Sequence, residues 1–350
     1  MFISKKKEIV GIDIGSSSIK LVQLREQKEA YSLMNVGLLQ LPPEAIVDNT
    51  LMDSSSIVET INRLIKDLNI RVKDAACSVS GNSVIIRKIS LPAMPYEELE
   101  EQIHWEAEQY IPFDINDVNV DFQILAADQN DPSKMEVLLV ASKKDIINDY
   151  LAVFNETGIR LAVVDVDSFA IQNAFELNYD VDPDSVSALI NIGASIMNLN
   201  IVKDGISLFT RDVQMGGNLY TEEIQKQFGI SSMEAEKIKI TGDTPDKTRL
   251  QETISRVNET LAMEMRRSLD FYNTTAGEGK ITNVYISGGG AKITGLLEAV
   301  NQRLGLPVEI LNPFSKLRFN EKEFDAEYLN ELGPLVTVAV GLATRRFGDK

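Results

Sequence analysis

The sequence has almost no cysteine or histidine, and it has no long apolar run. Its 350 residues include one cysteine, Cys77, and one histidine, His104. A lone cysteine excludes an internal disulfide framework and a zinc site built from several cysteines. No run approaches about 20 apolar residues, and the N-terminus lacks the apolar region of a signal peptide. We therefore expect a cytoplasmic protein that is stabilised by a hydrophobic core.

Positive charge is also scarce. Lysine and arginine total 35 against 52 aspartates and glutamates, which gives a formal net charge of −17. An acidic surface repels phosphate backbones and anionic lipid headgroups, so we expect no nucleic-acid partner and no direct membrane insertion. With 44% hydrophobic residues, the chain is long enough for roughly two domains that each bury a core.

An apolar strand pattern that ends in glycine occurs twice in the chain. The first copy spans 9–24 and turns at Gly15, and the second spans 188–202 and turns at Gly193. An extended segment follows each glycine, so both copies predict a β-hairpin, whereas a P-loop requires a helix at that point. A repeat at about half the chain length indicates two related halves. A third glycine turn, at 288–290, follows another strand-like segment.

The first hairpin has the chemistry of a phosphate site. Its turn residues are Gly15, Ser16, Ser17 and Ser18. Small side chains let several backbone N–H groups converge on an anion. Asp13 precedes the turn and is placed to hold a hydrated Mg²⁺, while Lys20 on the returning strand can reach a phosphate oxygen. For one copy alone, an ordinary glycine hairpin with a solvated aspartate remains an alternative. All three turns in this order favour the phosphate site.

These turns resemble the nucleotide loops of the actin, sugar-kinase and heat-shock-chaperone superfamily. The resemblance implies a duplicated two-domain α/β fold of the actin-like (ribonuclease H-like) class, with ATP and Mg²⁺ between the halves. It assigns phosphate loop one to 11–20, phosphate loop two to 191–198 and the adenosine loop to 287–292. The further nucleotide-contacting residues that it implies are Asn191, Gly193, Ala194, Ser195, Gly217, Glu236, Lys239, Gly288, Gly289, Gly290 and Lys292.

Within that superfamily, the chain is similar along its length to the PilM family of type IV pilus assembly proteins. The similarity lies in VGIDIGSSSIKL at 10–21, MGGN at 215–218, SLDFY at 268–272 and AVGLA at 339–343. PilM proteins resemble the division protein FtsA, which also inserts a small α+β subdomain in the first half. The implied division is a first core of 1–89, 165–186 and 335–350, an inserted subdomain of 90–164, a second core of 187–215 and 273–334, and a helical subdomain of 216–272.

The resemblance also implies a partner and a location. A PilM-like protein binds ATP and the short cytoplasmic N-terminal peptide of PilN, a bitopic inner-membrane protein. We expect the peptide in a groove between the first core and the inserted subdomain. This partner would hold the chain at the inner face of the inner membrane, within the pilus inner-membrane complex. Contacts with motor proteins and self-association are further expectations.

One residue departs from the pattern that the resemblance sets for hydrolysis. Relatives usually begin phosphate loop two with Asp-x-Gly, where this chain has Asn191. Asparagine can hydrogen-bond a metal-bound water but cannot supply charge or accept a proton. Asp167 occupies the position at which bacterial actins keep a water-orienting acid, so hydrolysis is not excluded. We expect tight nucleotide binding with slow or negligible turnover.

Two other functions remain open for this fold. A small-molecule kinase would need a catalytic base beside a sugar pocket, and the sequence has no glycine-rich sugar loop. A filament-forming FtsA-like division protein would carry an amphipathic membrane helix after a linker. We expect no such helix here, since an apolar segment at 332–346 is followed only by a few residues.

Overall fold

A computed structural model describes residues 8–27, 30–127, 131, 133–275 and 278–349. The strands are β1 (Val10–Ile14), β2 (Ser18–Gln27), β3 (Ala30–Gln40), β4 (Ile46–Val47), β5 (Thr50–Leu51), β6 (Asp74–Val79), β7 (Val84–Pro92), β8 (Val118–Ala127), β9 (Lys134–Lys143), β10 (Arg160–Val166), β11 (Val186–Ile192), β12 (Met197–Lys203), β13 (Ile206–Val213), β14 (Ile281–Ser287) and β15 (Val308–Ile310). The helices are α1 (Ser54–Asp67), α2 (Tyr96–Glu108), α3 (Lys144–Thr157), α4 (Asp167–Asn178), α5 (Asn218–Phe228), α6 (Ser232–Thr241), α7 (Lys247–Thr275), α8 (Leu296–Leu304) and α9 (Ala326–Leu342).

The two halves of the chain contain sheets of the same topology. Across the described residues, the first sheet has the order β10-β6-β1-β2-β3 and the second has the order β15-β14-β11-β12-β13. In each sheet the first three strands of that half are antiparallel, and the remaining two strands join in parallel. The order of the second sheet matches the first position by position. The predicted duplication of an α/β unit is confirmed.

Two helices lie between the sheets and bring the halves together. Helices α4 and α9 pack so closely that a Cβ built on Gly341 would be 1.7 Å from the Ala170 carbonyl oxygen. A Cβ on Gly11 would likewise be 2.2 Å from the carbonyl oxygen of Ala339. Glycine is therefore required at both positions by close backbone approach. Because α4 begins at Asp167, directly after β10, this packing places Asp167 where the halves meet.

The inserted subdomain is built on the antiparallel sheet β7-β9-β8, with α2 packed against it. Its sheet begins at Val84, before the predicted boundary at 90. Helix α3 and strand β10, at the end of the predicted subdomain, pack with the first half. Val153 and Phe154 of α3 lie in the same hydrophobic core as Ile57, and β10 is a strand of the first sheet. The proline-marked segment that suggested the boundary, 91–95, is instead the end of β7 and the link to α2.

Helices α5, α6 and α7 follow the hairpin of the second half. Helix α7 packs against the second sheet through a face that includes Val257, Leu261, Met265 and Leu269. This spacing of four residues is the apolar stripe expected of an amphipathic helix. Within the described residues, no helix has both the length and the apolar character needed to cross a membrane.

Candidate functional site

The two predicted hairpins meet across the interface between the halves. Hairpin one consists of β1, β2 and the turn at 15–17, and hairpin two consists of β11, β12 and the turn at 193–196. The Oγ of Ser16 lies 2.9 Å from the Oγ of Ser195, so the two turns are in hydrogen-bond contact. The duplicated sheets therefore present equivalent turns to one shared site.

Both turns carry backbone donors that the protein does not satisfy. Each turn closes on itself, because Gly15 N–H donates to the Ser18 carbonyl at 3.1 Å and Gly193 N–H donates to the Ile196 carbonyl at 2.8 Å. Over the described part of the chain, the N–H groups of Ser16, Ser17, Ala194 and Ser195 have no protein acceptor. Adjacent unpaired N–H groups in a turn form a concave anion site. The two turns are suited to phosphate oxygens.

A lysine and an aspartate face each other beside the turn of hairpin one. The β1–β2 register places Asp13 opposite Lys20, and their charged groups are 3.2 Å apart. The two side chains are only 14% and 13% exposed, respectively, so the pair is well shielded from water. A Cβ on Gly15 would lie 2.9 Å from Lys20 Nζ, so the glycine leaves room for the ammonium group at the turn. The pair offers one cation for phosphate and one carboxylate for a hydrated metal ion.

Asp167 has the electrostatic character of a group that can exchange a proton near neutral pH. Its Oδ1 accepts a hydrogen bond from Ser78 Oγ at 2.5 Å. Burial and then the negative charge of Asp13 raise the pKa of Asp167 to about 6, although the hydroxyls of Ser78 and Ser80 oppose the rise. A carboxylate with such a pKa can serve as a general base or orient a water molecule.

Asn191 is held inside a polar network of the second half. Its Nδ2 donates to Asn198 Oδ1 at 3.1 Å, and its Oδ1 accepts from Ser287 Oγ at 3.1 Å. Asn198 in turn donates from Nδ2 to Asp212 Oδ1 at 2.9 Å. The other carboxylate oxygen of Asp212 accepts from Gly81 N–H of the first half at 2.5 Å. The side-chain amide of Asn191 is therefore fixed at both ends.

The predicted residues of the helical subdomain lie beside hairpin two. The N–H groups of Gly217 and Asn218 donate to the carbonyls of Gly193 and Ala194, each at 2.8 Å, so α5 begins against the turn. Lys239 then reaches back to this point.

Lys239 Nζ contacts three groups at the start of α5 and on α6. It lies 3.2 Å from the Gly217 carbonyl oxygen, 3.0 Å from Thr221 Oγ1 and 2.6 Å from the Glu236 carboxylate. The structure thus brings Gly217, Glu236 and Lys239 together at the edge of the site.

The triple-glycine turn packs against the end of β11. Gly288 has a φ of 84°, and a Cβ there would be 2.3 Å from the Ile192 carbonyl oxygen, so only glycine fits. Gly290 approaches the Ile192 side chain equally closely, whereas Gly289 has open space around it. Lys292 is directed elsewhere, since its Nζ lies 2.6 Å from the Glu331 carboxylate on α9. Among the described contacts, none joins Lys292 to either hairpin.

Several polar residues of the site were not singled out by the sequence. Asp212 enters it through the β12–β13 register, which pairs Asn198 with Asp212, and a single sequence carries no signal for that register. Ser78 enters at the end of β6, where its hydroxyl reaches Asp167. Asn218 lies within the MGGN segment, and its Nδ2 donates to Ser195 Oγ at 3.1 Å.

Comparison with known proteins gives matches over most of the chain. The family model described as type IV pilus assembly protein PilM matches residues 11–347. A solved PilM-PilN type IV pilus biogenesis complex contains a chain that is 29% identical, with a TM-score of 0.87 and coverage of 97% of this chain and 98% of that one. The cell division protein FtsA of Bacillus subtilis is 24% identical over 253 residues, which cover 66% of this chain and 57% of FtsA.

A second solved structure is similar in fold. The ethanolamine utilization protein EutJ from Carboxydothermus hydrogenoformans has a TM-score of 0.60 and 17% identity, with coverage of 97% of this chain and 89% of EutJ. At this identity the likeness shows the fold alone. Together with the pilus relative, it supports the predicted actin-like class.

Proposed function

Because the chain belongs to the PilM family of type IV pilus assembly proteins, we propose that it is a nucleotide-binding scaffold of the pilus assembly complex. In this proposal it binds ATP between its halves and captures the N-terminal peptide of a PilN-type membrane protein. The contact between Ser16 and Ser195 carries the nucleotide part, since it brings two sets of unpaired N–H groups to one place.

The triphosphate would be held by both turns. Phosphate oxygens would accept from the free N–H groups at 16–17 and 194–195 and from the serine hydroxyls of both turns, and Lys20 would supply a charge-assisted hydrogen bond. The nucleoside would lie on the side of Gly217, Glu236 and Lys239, with the triple-glycine turn opposite. Lys292 has no part in this arrangement while it is paired with Glu331.

The residues present fit a magnesium ion that is held mainly by water and phosphate. Magnesium usually keeps several waters and uses only one or two carboxylates. Asp13 would hold one of those waters, and within the described residues no group of three histidine, cysteine, aspartate or glutamate side chains forms a direct cage. When bound, the ion would neutralise phosphate charge.

Turnover would be slow in this arrangement. Asp167 can orient a water molecule and accept its proton, because its pKa is raised toward neutrality. The second half contributes the neutral Asn191, whose amide is already bonded to Asn198 and Ser287. We therefore propose turnover below about one per second, the lower end of ordinary enzyme rates.

The peptide would bind in the groove between the first core and the inserted subdomain. Extended peptides dock by backbone pairing together with side-chain pockets. The solved relative is a complex of PilM with PilN, and similarity to it covers 97% of this chain. Through such a partner the chain would lie at the inner face of the inner membrane, where it could also contact motor proteins or further copies of itself.

Calorimetric titration tests both the nucleotide part and the peptide part of this proposal. Wild-type protein is titrated with ATP and Mg²⁺, and then with a synthetic PilN N-terminal peptide and a scrambled peptide of the same composition. We expect saturable heat for ATP and for the authentic peptide only. Absence of heat for ATP refutes the nucleotide site, and equal heat for both peptides refutes the specific groove. Sedimentation with and without ATP tests self-association.

A further inference from the structure

The turn between β6 and β7 joins the inserted subdomain to the first half. The chain leaves β6 at Val79, passes through a 3-10 turn at Gly81–Ser83 and enters β7 at Val84. At its other end, β9 runs directly into α3, which packs in the first core. The covalent attachments of the inserted subdomain are therefore both to the first half.

The same turn is bonded to the second half. Gly81 N–H donates to Asp212 Oδ2 at 2.5 Å, and a Cβ built on Gly81 would lie 3.1 Å from Ile196 Cδ1 in hairpin two. The other oxygen of Asp212 accepts from Asn198 on the return strand of hairpin two at 2.9 Å. One carboxylate thus bridges hairpin two and the entry to the inserted subdomain.

A second contact ties β7 to the second half. Lys88 forms an ion pair with Glu278, which precedes β14, and a further ion pair of 2.9 Å with Glu136 on β9. Burial alone would lower the pKa of Lys88, but the two carboxylates more than reverse this, so the lysine stays charged. These two contacts with the second half therefore involve β7 and the turn before it.

We propose that Asp212 is a positioning residue that couples hairpin two to the inserted subdomain, with the Lys88–Glu278 pair as a second tie. When the angle between the halves changes, the subdomain cannot remain fixed to both. Either the ties break, or β7 shifts relative to the first core. Since the proposed peptide groove would lie between the first core and this subdomain, a nucleotide that changes the closure of the halves would change peptide affinity. This coupling rests on the proposed function.

The experiment compares the full-length wild type with Asp212→Ala and Asp212→Asn. Asp212→Asn preserves the shape of the side chain but leaves one oxygen to accept from both Gly81 N–H and Asn198 Nδ2. It therefore keeps the test valid if the alanine variant folds poorly. The matched control is Glu264→Gln, because Glu264 pairs with Arg211, next to Asp212 on β13, and that pair stays within the second half.

Two measurements are made on each protein. The first is hydrogen–deuterium exchange over 80–92 without nucleotide. We expect it to be about tenfold faster in Asp212→Ala, equivalent to about one hydrogen bond, and unchanged in Glu264→Gln. The second is the ratio of peptide affinities with and without saturating ATP and Mg²⁺. Allosteric effects typically change an affinity about fivefold or more, and we expect a ratio of that size in the wild type. In the Asp212 variants we expect the ratio to fall to about one.

The outcomes separate this inference from the proposed function. Wild-type protection at 80–92 together with a wild-type affinity ratio in the Asp212 variants would overturn the positioning role. A wild type whose peptide affinity does not respond to bound nucleotide would overturn the coupling. If the wild type bound no nucleotide, the proposed function would fail, while the exchange comparison would still decide whether Asp212 ties the turn to hairpin two.

Discussion

Ser16 and Ser195 are 179 positions apart in the chain, yet their hydroxyl oxygens lie 2.9 Å from each other. Each serine belongs to the turn of one hairpin, and each hairpin lies at the same place in one of two equivalent sheets. The contact is thus a consequence of duplication: two copies of one unit, packed through α4 and α9, present the same turn to a common space.

Replacing Asp167 by asparagine should change the pH dependence of stability. The pKa of Asp167 is 3.8 when unperturbed and about 6 in the folded protein. The folded state therefore binds a proton between about pH 4 and 6 that the unfolded state has lost. The stabilisation from this proton is fully present below about pH 4 and is lost as the pH rises through 6.

Asp167→Asn should remove this loss of stability with rising pH, because asparagine does not ionise. At pH 7 we expect the variant to be more stable than the wild type by on the order of 2–3 kcal/mol, from 1.36 kcal/mol per pKa unit. At pH 4 the two proteins should be nearly equal. Urea unfolding at both pH values measures the difference, and equal stability at pH 7 would contradict the shifted pKa.

Replacing Lys20 by alanine should weaken nucleotide binding. A hydrogen bond to a charged group contributes about 1.5–3 kcal/mol, so we expect the dissociation constant for ATP to rise roughly tenfold to a hundredfold. The control is Lys226→Ala, since Lys226 is exposed on α5 and pairs with Glu223 of the same helix. Calorimetry on both variants provides the comparison. Equal losses of affinity would mean that net charge, rather than the position of Lys20, determines binding.

Replacing Asn191 by aspartate should destabilise the protein. A carboxylate at this position would place an acceptor against Asn198 Oδ1, which now accepts from Asn191 Nδ2. Leaving such a buried group unsatisfied costs about 1–3 kcal/mol. Urea unfolding measures the loss. Ser287→Ala, which leaves Asn191 Oδ1 without its donor and adds no charge, should lose a comparable amount. An unchanged free energy of unfolding would show that the network rearranges freely.

Replacing Gly341 by alanine should disrupt the packing of α4 against α9. The new Cβ would lie 1.7 Å from the Ala170 carbonyl oxygen, a distance that only movement of the backbone can relieve. Overpacking typically costs about 1–3 kcal/mol or more. Gly333→Ala in the same helix is the control, because its nearest neighbour is 3.2 Å away and the change in helix propensity is the same. Equal effects of the two substitutions on thermal unfolding would refute the role of close approach.

The hairpins and the duplication could be predicted from sequence because their signals are local. An apolar strand, a glycine, small residues and a second apolar strand specify a hairpin wherever they occur, and Gly15 and Gly193 lie at its turn in both copies. The site residues next to these turns, such as Asp13 and Lys20, follow from the two-residue repeat of a strand. Their pairing across β1 and β2 needs no long-range information.

The place of Asp212 in the site and the bounds of the inserted subdomain depend on tertiary packing, which the sequence pattern does not reveal. Asp212 joins the site only because β12 and β13 pair in one register and Gly81 approaches from the other half. Helix α3 has the same amphipathic pattern whether it packs on the inserted sheet or on α1, so the pattern could not assign it. Lys292 lies in a predicted nucleotide loop, but Glu331 on a distant helix attracts its ammonium group.

The central claim is that the turns of the two hairpins hold one triphosphate between them. The most direct measurement is the rate of disulfide formation in a Ser16→Cys, Ser195→Cys double variant. The native Cys77 is buried, and burial raises the pKa of its thiol, which disfavours its reaction. We expect ready cross-linking without nucleotide, and cross-linking slowed severalfold by ATP with Mg²⁺ but not by adenosine. Cross-linking that proceeds at the same rate with saturating, bound ATP would contradict the claim.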